Sequence, residues 1–328
     1  MDDKILQIKN LSVKFHNESG QTIHAVRDVS FTMHKGKAFG LVGESGCGKS
    51  VTVKTILKLH DLKTTEFEGE ILYKGQNILK ADKKEMAKIR GNDISMIFQD
   101  SMTSLNPLVK VGEQITEVLR RHQNMKKEEA KKRAIEIMTQ VGISSPEMRF
   151  KQYPHEFSGG MQQRIMIAIA LACQPDILLA DEPTTALDVT IQAQILKLMR
   201  EVRDEKDMSI LMITHDLGVV ANICDEIGVM YAGNIVEYAD VKTLFENPLH
   251  PYTQGLLKAM PRMGMEQERL EIIEGQPPKL VEGLEEQCPF ANRCKYATER
   301  CFTRKPKEIT FEDGHRVRCH RVSDAGKE

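Results

Sequence analysis

The feature that most constrains the fold is a glycine-rich segment that directly follows a short apolar run. The run Ala38–Val42 carries no charge, which is typical of a strand buried within a parallel sheet. The next segment, Gly43–Ser50, has the pattern G-x-x-x-x-G-K-S of a phosphate-binding loop, which requires a strand before it and a helix after it. The sequence therefore predicts a strand, a phosphate loop and a helix running from about Gly48 to His60.

The residue types of this loop explain how it would bind phosphate. Glycines allow consecutive backbone N–H groups to point at phosphate oxygens, and the following helix directs the positive end of its dipole at the same anion. Lys49 is expected to reach the terminal phosphates, and the Ser50 hydroxyl to bind Mg²⁺. The residues predicted to contact the nucleotide here are Gly43, Glu44, Ser45, Gly46, Cys47, Gly48, Lys49, Ser50 and Val51.

Cys47 occupies a variable position of the loop, and two interpretations of it stay open. It can be a small residue that fills space in place of Ser or Ala. Alternatively it is a redox-sensitive thiol, because backbone amides and a helix N-terminus lower a thiol pKa.

Two adjacent acidic residues end another apolar run and suggest the metal and water chemistry of the site. Ile177–Ala180 leads directly into Asp181 and Glu182. Neighbouring side chains at a strand end can diverge, so each acid can have its own task. We expect Asp181 to hold Mg²⁺, usually through water, and Glu182 to orient and deprotonate the attacking water.

The remaining pattern predicts the α/β class, because apolar strands alternate with helices along the chain. Two N-terminal segments alternate apolar and polar residues as half-buried strands do. Residues from about 111 to 150 are helical in period and rich in Lys and Glu. The predicted strands are Ile5–Phe15, Val29–Met33, Ser95–Phe98, Ile177–Ala180 and Ser209–Ile213, and further helices begin near Ser158 and Asp188.

Composition excludes some classes of partner and of fold. The net charge of −1 gives no argument for binding nucleic acid. No apolar run reaches the roughly 18 to 20 residues that a membrane-spanning helix needs, and the N-terminus lacks the pattern of a signal peptide. We therefore expect a cytosolic chain whose partners supply any membrane part, and free thiols instead of a disulfide scaffold.

The segment Phe157–Gln163, Phe-Ser-Gly-Gly-Met-Gln-Gln, resembles the signature motif of the ABC ATPases. Its small residues Ser158, Gly159 and Gly160 at a helix start provide a second anion site. The other motifs of the family are also present, in the family's order along the chain. They are Phe15 as the aromatic that stacks on adenine, Gln99 of the Q-loop, Ala186-Leu187-Asp188 of the D-loop, and His215 as the switch histidine that senses the γ-phosphate.

The resemblance implies a P-loop (RecA-like) ABC nucleotide-binding domain with an antiparallel β subdomain and a helical insert. On this basis residues 1–255 form the ATP-binding domain, with the insert at about 105–170, and residues 256–328 form a small Cys-rich C-terminal extension. It also implies that Gln99, with Ser50 and Asp181, serves Mg²⁺, and that two chains pair head to tail. The phosphate loop of one chain and the Ser158–Gly160 surface of the other then enclose each ATP.

Three further stretches resemble the ATPases of oligopeptide, dipeptide and nickel importers: Gln99–Pro107, His250–Leu257 and Cys288–Cys294. The resemblance implies a peripheral ATPase at the cytoplasmic face of the membrane, paired with a second, often different, ATPase subunit. Two transmembrane permease subunits and an extracytoplasmic substrate-binding protein complete such importers. Import of nickel or a metal chelate stays open, because the ATPase does not touch the cargo.

Soluble ABC ATPases are the alternative of a different class. DNA-repair and chromosome-organising members place long coiled coils between phosphate loop and signature, whereas the interval from Ser50 to Ser158 has no sustained heptads. Translation-factor members normally carry two cassettes, and this chain has one.

Four of the seven cysteines, Cys288, Cys294, Cys301 and Cys319, are spaced C-x₅-C-x₆-C-x₁₇-C in a proline-bearing segment. A bound metal centre would stabilise a segment that buries little core by itself. Three interpretations stay open: an iron–sulfur cluster, a structural zinc, and uncoordinated thiols. Zinc sites more commonly have cysteines two to four residues apart, and some resembling importer ATPases carry a [4Fe–4S] cluster in this extension, so we favour iron.

Overall fold

In a computed structural model of the protein, the apolar run Ala38–Val42 forms a fully buried strand that leads into the phosphate loop. The structure describes residues 3–17, 20–100, 104–185, 187–260, 273–278, 280 and 286–325. The described chain divides into two units. The first contains residues 34–38 and 80–213, and the second contains those described within 2–33, 39–79 and 214–328.

The strands of the described residues are β1 (Lys4–His16), β2 (Thr22–His34), β3 (Ala38–Val42), β4 (Thr65–Tyr73), β5 (Gln76–Asn77), β6 (Ile94–Ile97), β7 (Ile177–Asp181), β8 (Ser209–Thr214), β9 (Glu226–Tyr231), β10 (Asn234–Asp240), β11 (Ile309–Thr310) and β12 (Arg316–Val317). The α-helices are α1 (Lys49–Ile56), α2 (Lys83–Ile89), α3 (Val111–Gln123), α4 (Lys127–Gln140), α5 (Pro146–Arg149), α6 (Gly159–Leu171), α7 (Val189–Lys206), α8 (Leu217–Ile223), α9 (Val241–Glu246), α10 (Pro251–Lys258), α11 (Glu299–Thr303) and α12 (His320–Ala325). Two short 3-10 helices cover Pro154–Glu156 and Ala291–Arg293.

The first unit is built on the parallel strands β6, β7 and β8, in the order β8-β7-β6. The strands β7 and β8 are buried throughout, as their apolar sequences require. Helix α6 packs against β6, and α3 and α4 pack against α6 and against each other. The helical period of residues 111–150 thus becomes three helices, α3 to α5, in the same unit that carries the signature segment.

The second unit contains two sheets. One has the order β2-β1-β4-β5, with β1 antiparallel to β4 in a register that pairs Leu6 with Tyr73 and Phe15 with Thr65. The other has the order β11-β12-β10-β9-β3, and its β3 runs parallel to β9. The C-terminal segment, which is the described part of residues 256–328, joins this sheet, because β12 pairs with β10 through Val317 and Glu237.

The predicted α/β class with an antiparallel β subdomain and helical insert is confirmed. The strand Ala38–Val42 has the predicted bounds, and the other predicted strands lie within β1, β2, β7 and β8 or one residue from β6. The strands β4, β9 and β10 carry no pattern that the sequence analysis used, and only the structure reveals them. No helix in the described ranges is long and apolar enough to cross a membrane.

Candidate functional site

The phosphate loop has backbone torsions that only glycine adopts readily. Gly43, Gly46 and Gly48 have φ of 151°, 78° and 105°. A Cβ atom on Gly43 would collide with the carbonyl oxygen of Met230, and one on Gly48 with that of Ala25. Glycine at these positions therefore lets the loop turn closely against its own unit, as a cradle of backbone N–H groups around an anion requires.

The side chain of Lys49 folds back and binds the carbonyl oxygens of its own loop. Its buried Nζ donates hydrogen bonds to the carbonyl oxygens of Gly43 at 2.7 Å and Glu44 at 2.9 Å. Helix α1 begins at Lys49, so the ammonium group and the positive helix end lie at the same loop. Ser50 and Val51 follow in the first turn of α1, where the predicted Mg²⁺ ligand is half-buried.

Cys47 is buried in the loop, with its Sγ 3.7 Å from Lys49 Nζ. Burial raises the pKa of the Cys47 thiol above its ordinary value, although the charge of Lys49 acts in the opposite direction. A thiol that is buried and protonated is a poor nucleophile. The environment therefore favours the space-filling interpretation of Cys47 over redox sensitivity.

Phe15, the predicted adenine-stacking residue, lies half-buried on β1 next to a histidine that sequence reasoning missed. The rings of Phe15 and His60 meet edge to face with centroids 5.2 Å apart. His60 Nε2 lies 3.1 Å from the Val51 carbonyl oxygen and donates to it, while burial lowers the pKa of His60. His60 therefore fixes one edge of Phe15 and binds the first turn of α1 at the same time.

The acidic pair lies at the end of β7 in the first unit. Asp181 is buried at the strand terminus. Glu182 adopts the left-handed φ of 48° and donates its backbone N–H to the Ile213 carbonyl oxygen at 2.9 Å. Such a φ is sparsely populated by glutamate and is often retained at functional sites.

Two side chains hold the carboxylate of Glu182. Gln99 Nε2 donates to Oε2 at 3.1 Å, and the Thr185 hydroxyl donates to the same oxygen at 2.9 Å. The structure thus brings the predicted residues Gln99 and Glu182 together. Sequence reasoning missed Thr185, although its position three residues after the predicted base is a local signal that could have pointed to it.

The signature residues lie at the start of α6, whose N-cap is Ser158. Gly159 is exposed, and a Cβ added there would meet no atom within 4 Å. The segment lines an open cavity of about 480 Å³ together with Leu187 and Asp188 of the predicted D-loop. Ala186 lies outside the described residues. An exposed helix start beside open space can receive an anion through its N–H groups.

Two glutamines of α6 hold the signature segment through side-chain hydrogen bonds to backbone carbonyl oxygens. Gln162 Nε2 donates to the carbonyl oxygens of Pro154 and Phe157, and Gln163 Nε2 donates to that of Pro183 at 2.5 Å. The latter bond connects the signature helix to the loop that carries Glu182. His215, the predicted γ-phosphate sensor, is exposed directly after β8 in the second unit.

The four C-terminal cysteines meet in one place. Cys288, Cys294, Cys301 and Cys319 all line a cavity of about 210 Å³, together with His250 and His320. The Cys288 N–H donates to the Cys301 carbonyl oxygen at 2.9 Å. Burial, with a smaller contribution from the neighbouring thiols, raises the pKa of Cys288 to about 12. Among the described residues, however, no three His, Cys, Asp or Glu side chains are grouped so that they could hold a metal ion.

Comparison with known proteins assigns the chain to a family. Residues 26–185 match the ABC transporter family, and residues 236–301 match the oligopeptide/dipeptide transporter C-terminal region. The dipeptide transport ATP-binding protein DppD of Bacillus subtilis is 50% identical, over 97% of this chain and 94% of its own length. The chain belongs to the ABC transporter family. Its resemblance to the peptide-importer ATPases is thereby confirmed.

Other similar proteins support the same family assignment. The oligopeptide transport ATP-binding protein OppD of Bacillus subtilis is 50% identical over 96% of this chain and 88% of its own length. Among solved structures, a dimeric post-hydrolysis state of the ATP-binding cassette MJ0796 with ADP and phosphate has a TM-score of 0.64 and 29% identity, covering 72% of this chain and 98% of the cassette. The predicted ATPase activity is confirmed at the level of the family: this ABC protein binds and hydrolyses ATP.

Proposed function

We propose that this ABC ATPase powers the import of di- or oligopeptides through a membrane transporter. The observation that carries the proposal is the match of residues 236–301 to the oligopeptide/dipeptide transporter C-terminal region, together with 50% identity to a dipeptide transport ATP-binding protein. The C-terminal match distinguishes this chain from ABC ATPases in general, because the ATP-binding motifs alone do not indicate a cargo.

The residue types assign roles in hydrolysis. Lys49 would bind the terminal phosphates, and Ser50, Asp181 and Gln99 are the residues that would hold Mg²⁺, which when bound would supply positive charge to compensate the phosphates. Glu182 acts as general base toward the attacking water. The hydrogen bonds from Gln99 and Thr185 support this role, because they orient the carboxylate that would accept the proton.

A second ATPase subunit is part of the proposal. The start of α6 at Ser158 and Gly159 is exposed, as expected of a helix N-terminus that serves the nucleotide of a partner. The related cassette MJ0796 was solved as a dimer with ADP and phosphate. We propose a head-to-tail pair, with either an identical or a different second ATPase chain.

We also propose that two permease subunits dock on the first unit at the cytoplasmic face of the membrane. Large apolar side chains are exposed in and before the helical insert: Leu108 is 84% exposed, Met148 is 62% exposed, and Phe98 is 40% exposed. Exposed apolar side chains lose water-contacting surface when a partner covers them. An extracytoplasmic binding protein would deliver the peptide to the permeases.

Transport tests the proposed cargo directly. The chain is co-expressed with the permeases and the binding protein of its own host, reconstituted into vesicles, and supplied with a labelled tripeptide or with nickel. ATP-dependent tripeptide uptake that is lost in the Lys49→Ala variant supports the proposal. Uptake of nickel but not peptide would contradict it, and so would failure to recover any membrane partner with the chain from its host.

For the cysteine cavity we propose an iron–sulfur cluster, held by Cys288, Cys294, Cys301 and Cys319. A cluster of four irons accepts four thiolates, and all four thiols line a single cavity, although among the described residues no three such side chains are grouped closely enough to hold one metal ion. When bound, such a cluster would stabilise the segment by connecting its cysteines. The role proposed for it is structural; zinc and uncoordinated thiols are the other outcomes of the test.

Metal analysis separates these three outcomes. Anaerobically purified protein should be brown and contain about four irons per chain, as a cubane cluster requires. Cys294→Ser should lose the colour and the iron, whereas Cys173→Ser should keep both, because Cys173 is buried outside the cavity. Colourless protein with one zinc per chain, or with no metal, would contradict the iron cluster.

A further inference from the structure

Arg293 of the C-terminal segment forms a two-pronged ion pair with Glu44 of the phosphate loop. One guanidinium nitrogen lies 2.6 Å from Glu44 Oε2, and the other lies 3.0 Å from Oε1. The Arg293 side chain is only 5% exposed. Paired hydrogen bonds of this kind fix direction as well as distance, and they are among the stronger polar contacts in proteins.

The remaining donors of Arg293 are also used. Its Nε donates to the Glu274 carbonyl oxygen at 2.9 Å, and its second nitrogen to that of Ile273 at 3.2 Å. The guanidinium also lies 3.4 Å from the Tyr231 hydroxyl. The carboxylate of Glu44 holds the pKa of Arg293 above its usual range. The arginine is therefore held in one orientation by its own segment and presents its charge to Glu44.

The backbone of Glu44 is anchored from the same part of the chain. Its N–H donates to the Tyr252 hydroxyl at 2.9 Å. Tyr252 is fully buried, and its ring packs against Tyr231 with centroids 4.6 Å apart and against Phe290 at 5.4 Å. The carbonyl oxygen of Glu44 in turn accepts from Lys49 Nζ at 2.9 Å. Side chain, N–H and carbonyl of this one loop residue are thus all held.

The ion pair with Arg293 compensates the negative charge of Glu44 within the phosphate loop. A phosphate loop binds a polyanion, and a carboxylate within the loop repels that anion unless a cation compensates it. We propose that Arg293 is a positioning residue of the ATP site. It fixes Glu44, and through Glu44 the carbonyl that holds Lys49, and it cancels the negative charge that Glu44 brings to the loop.

Binding of ATP to variants of the full-length chain tests the proposal. Arg293→Gln should raise the Kd for ATP on the order of tenfold, which corresponds to about 1.4 kcal/mol, because Glu44 is left without its counter-charge. Arg293→Lys should have a smaller effect, since lysine supplies the charge but not the paired geometry. The double variant Arg293→Gln/Glu44→Gln should recover most of the affinity, because the uncompensated carboxylate is gone.

Arg318→Gln is the matched control. Arg318 belongs to the same segment, is also largely buried, and pairs with Glu308 at 3.3 Å and Asp28 at 3.2 Å instead of with the phosphate loop. This variant should bind ATP as the unaltered protein does. Metal content and thermal midpoint are recorded for every variant, so that damage to the cysteine cavity is recognised separately.

Three results would overturn the proposal. The first is an unchanged Kd in Arg293→Gln. The second is an equal loss of affinity in Arg318→Gln, which would indicate general damage to the segment. The third is failure of Glu44→Gln to restore the double variant, because a merely structural arginine would not be rescued by removing a charge. If Arg293→Gln does not fold, a Kd in Arg293→Lys equal to that of the unaltered protein is the contradicting result.

Discussion

The side-chain nitrogen of Gln99 donates a hydrogen bond of 3.1 Å to the carboxylate of Glu182. The two residues follow different strands, β6 and β7, which lie next to each other in the parallel sheet. Carboxyl ends of parallel strands meet at one edge, where α/β proteins place their ligands. Thr185 donates to the same oxygen of Glu182 at 2.9 Å, so two hydrogen bonds fix the orientation of this carboxylate.

Glu182→Gln should therefore preserve ATP binding while it reduces the hydrolysis rate by about 10²-fold or more, the scale of losing a general base. The amide oxygen of glutamine can still accept from Gln99 and Thr185, so the local geometry is retained. ATP affinity and steady-state phosphate release are measured with the partner subunit present. Glu201→Gln, an exposed glutamate of α7, serves as control. Near-normal hydrolysis by Glu182→Gln, after subtraction of any competent second site, would refute the assignment.

Gly159→Asp tests the role of the signature segment. The backbone there is open, since an added Cβ meets no atom within 4 Å, and a carboxylate at this position would repel a partner's phosphate. We expect the isolated chain to bind ATP normally and the assembled pair to lose hydrolysis. Gly159→Ala, which adds a Cβ without charge, should remain largely active. Loss of ATP binding by the isolated Gly159→Asp chain would show that the motif acts within its own chain.

Local patterns predicted the elements that carry chemistry, because a strand, a glycine-rich turn and a helix leave their signals within about twenty residues. The contacts that hold the site leave no such signal. Arg293 and Glu44 are 249 residues apart, and Tyr252 and Glu44 are 208 apart. The stretch His250–Leu257 resembles a subfamily motif, but only the structure shows that its tyrosine accepts from the phosphate loop.

The C-terminal segment likewise combines a feature that the sequence predicted with contacts that it did not. Spacing suggested that four cysteines share a centre, and the structure does bring them to one cavity. The pairing of β12 with β10, however, depends on β12, whose two-residue length gives no periodicity to detect. The buried hydrogen bond between Glu237 and His315, 2.8 Å long, joins the same two parts of the chain and was likewise not predicted from the sequence.

Charge placed on the exposed apolar surface of the first unit should weaken membrane assembly. Leu108→Asp and Met148→Asp replace side chains that are 84% and 62% exposed, so the fold should tolerate them while a covering permease would not. We expect reduced co-purification with the permeases and unchanged ATP affinity. The control is Leu62→Asp, a leucine that is 55% exposed in the second unit. Equal permease recovery for Leu108→Asp, Met148→Asp and Leu62→Asp would place the docking surface elsewhere.

His250 should make the free energy of unfolding depend on pH. Its ring is buried, its Nδ1 accepts from the Tyr252 N–H at 3.0 Å, and burial lowers its pKa from 6.5 to about 4 although Glu237 acts in the opposite direction. Between these two pH values the unfolded chain binds a proton that the folded chain does not, so stability falls as the pH decreases from about 6.5 to about 4. At about 1.4 kcal/mol per pH unit, the loss is roughly 3 kcal/mol. His250→Asn keeps an acceptor for the Tyr252 N–H but cannot titrate, so its denaturant midpoint should change less with pH over this range. Identical pH profiles of the two proteins under reducing conditions would show that His250 is not the group responsible.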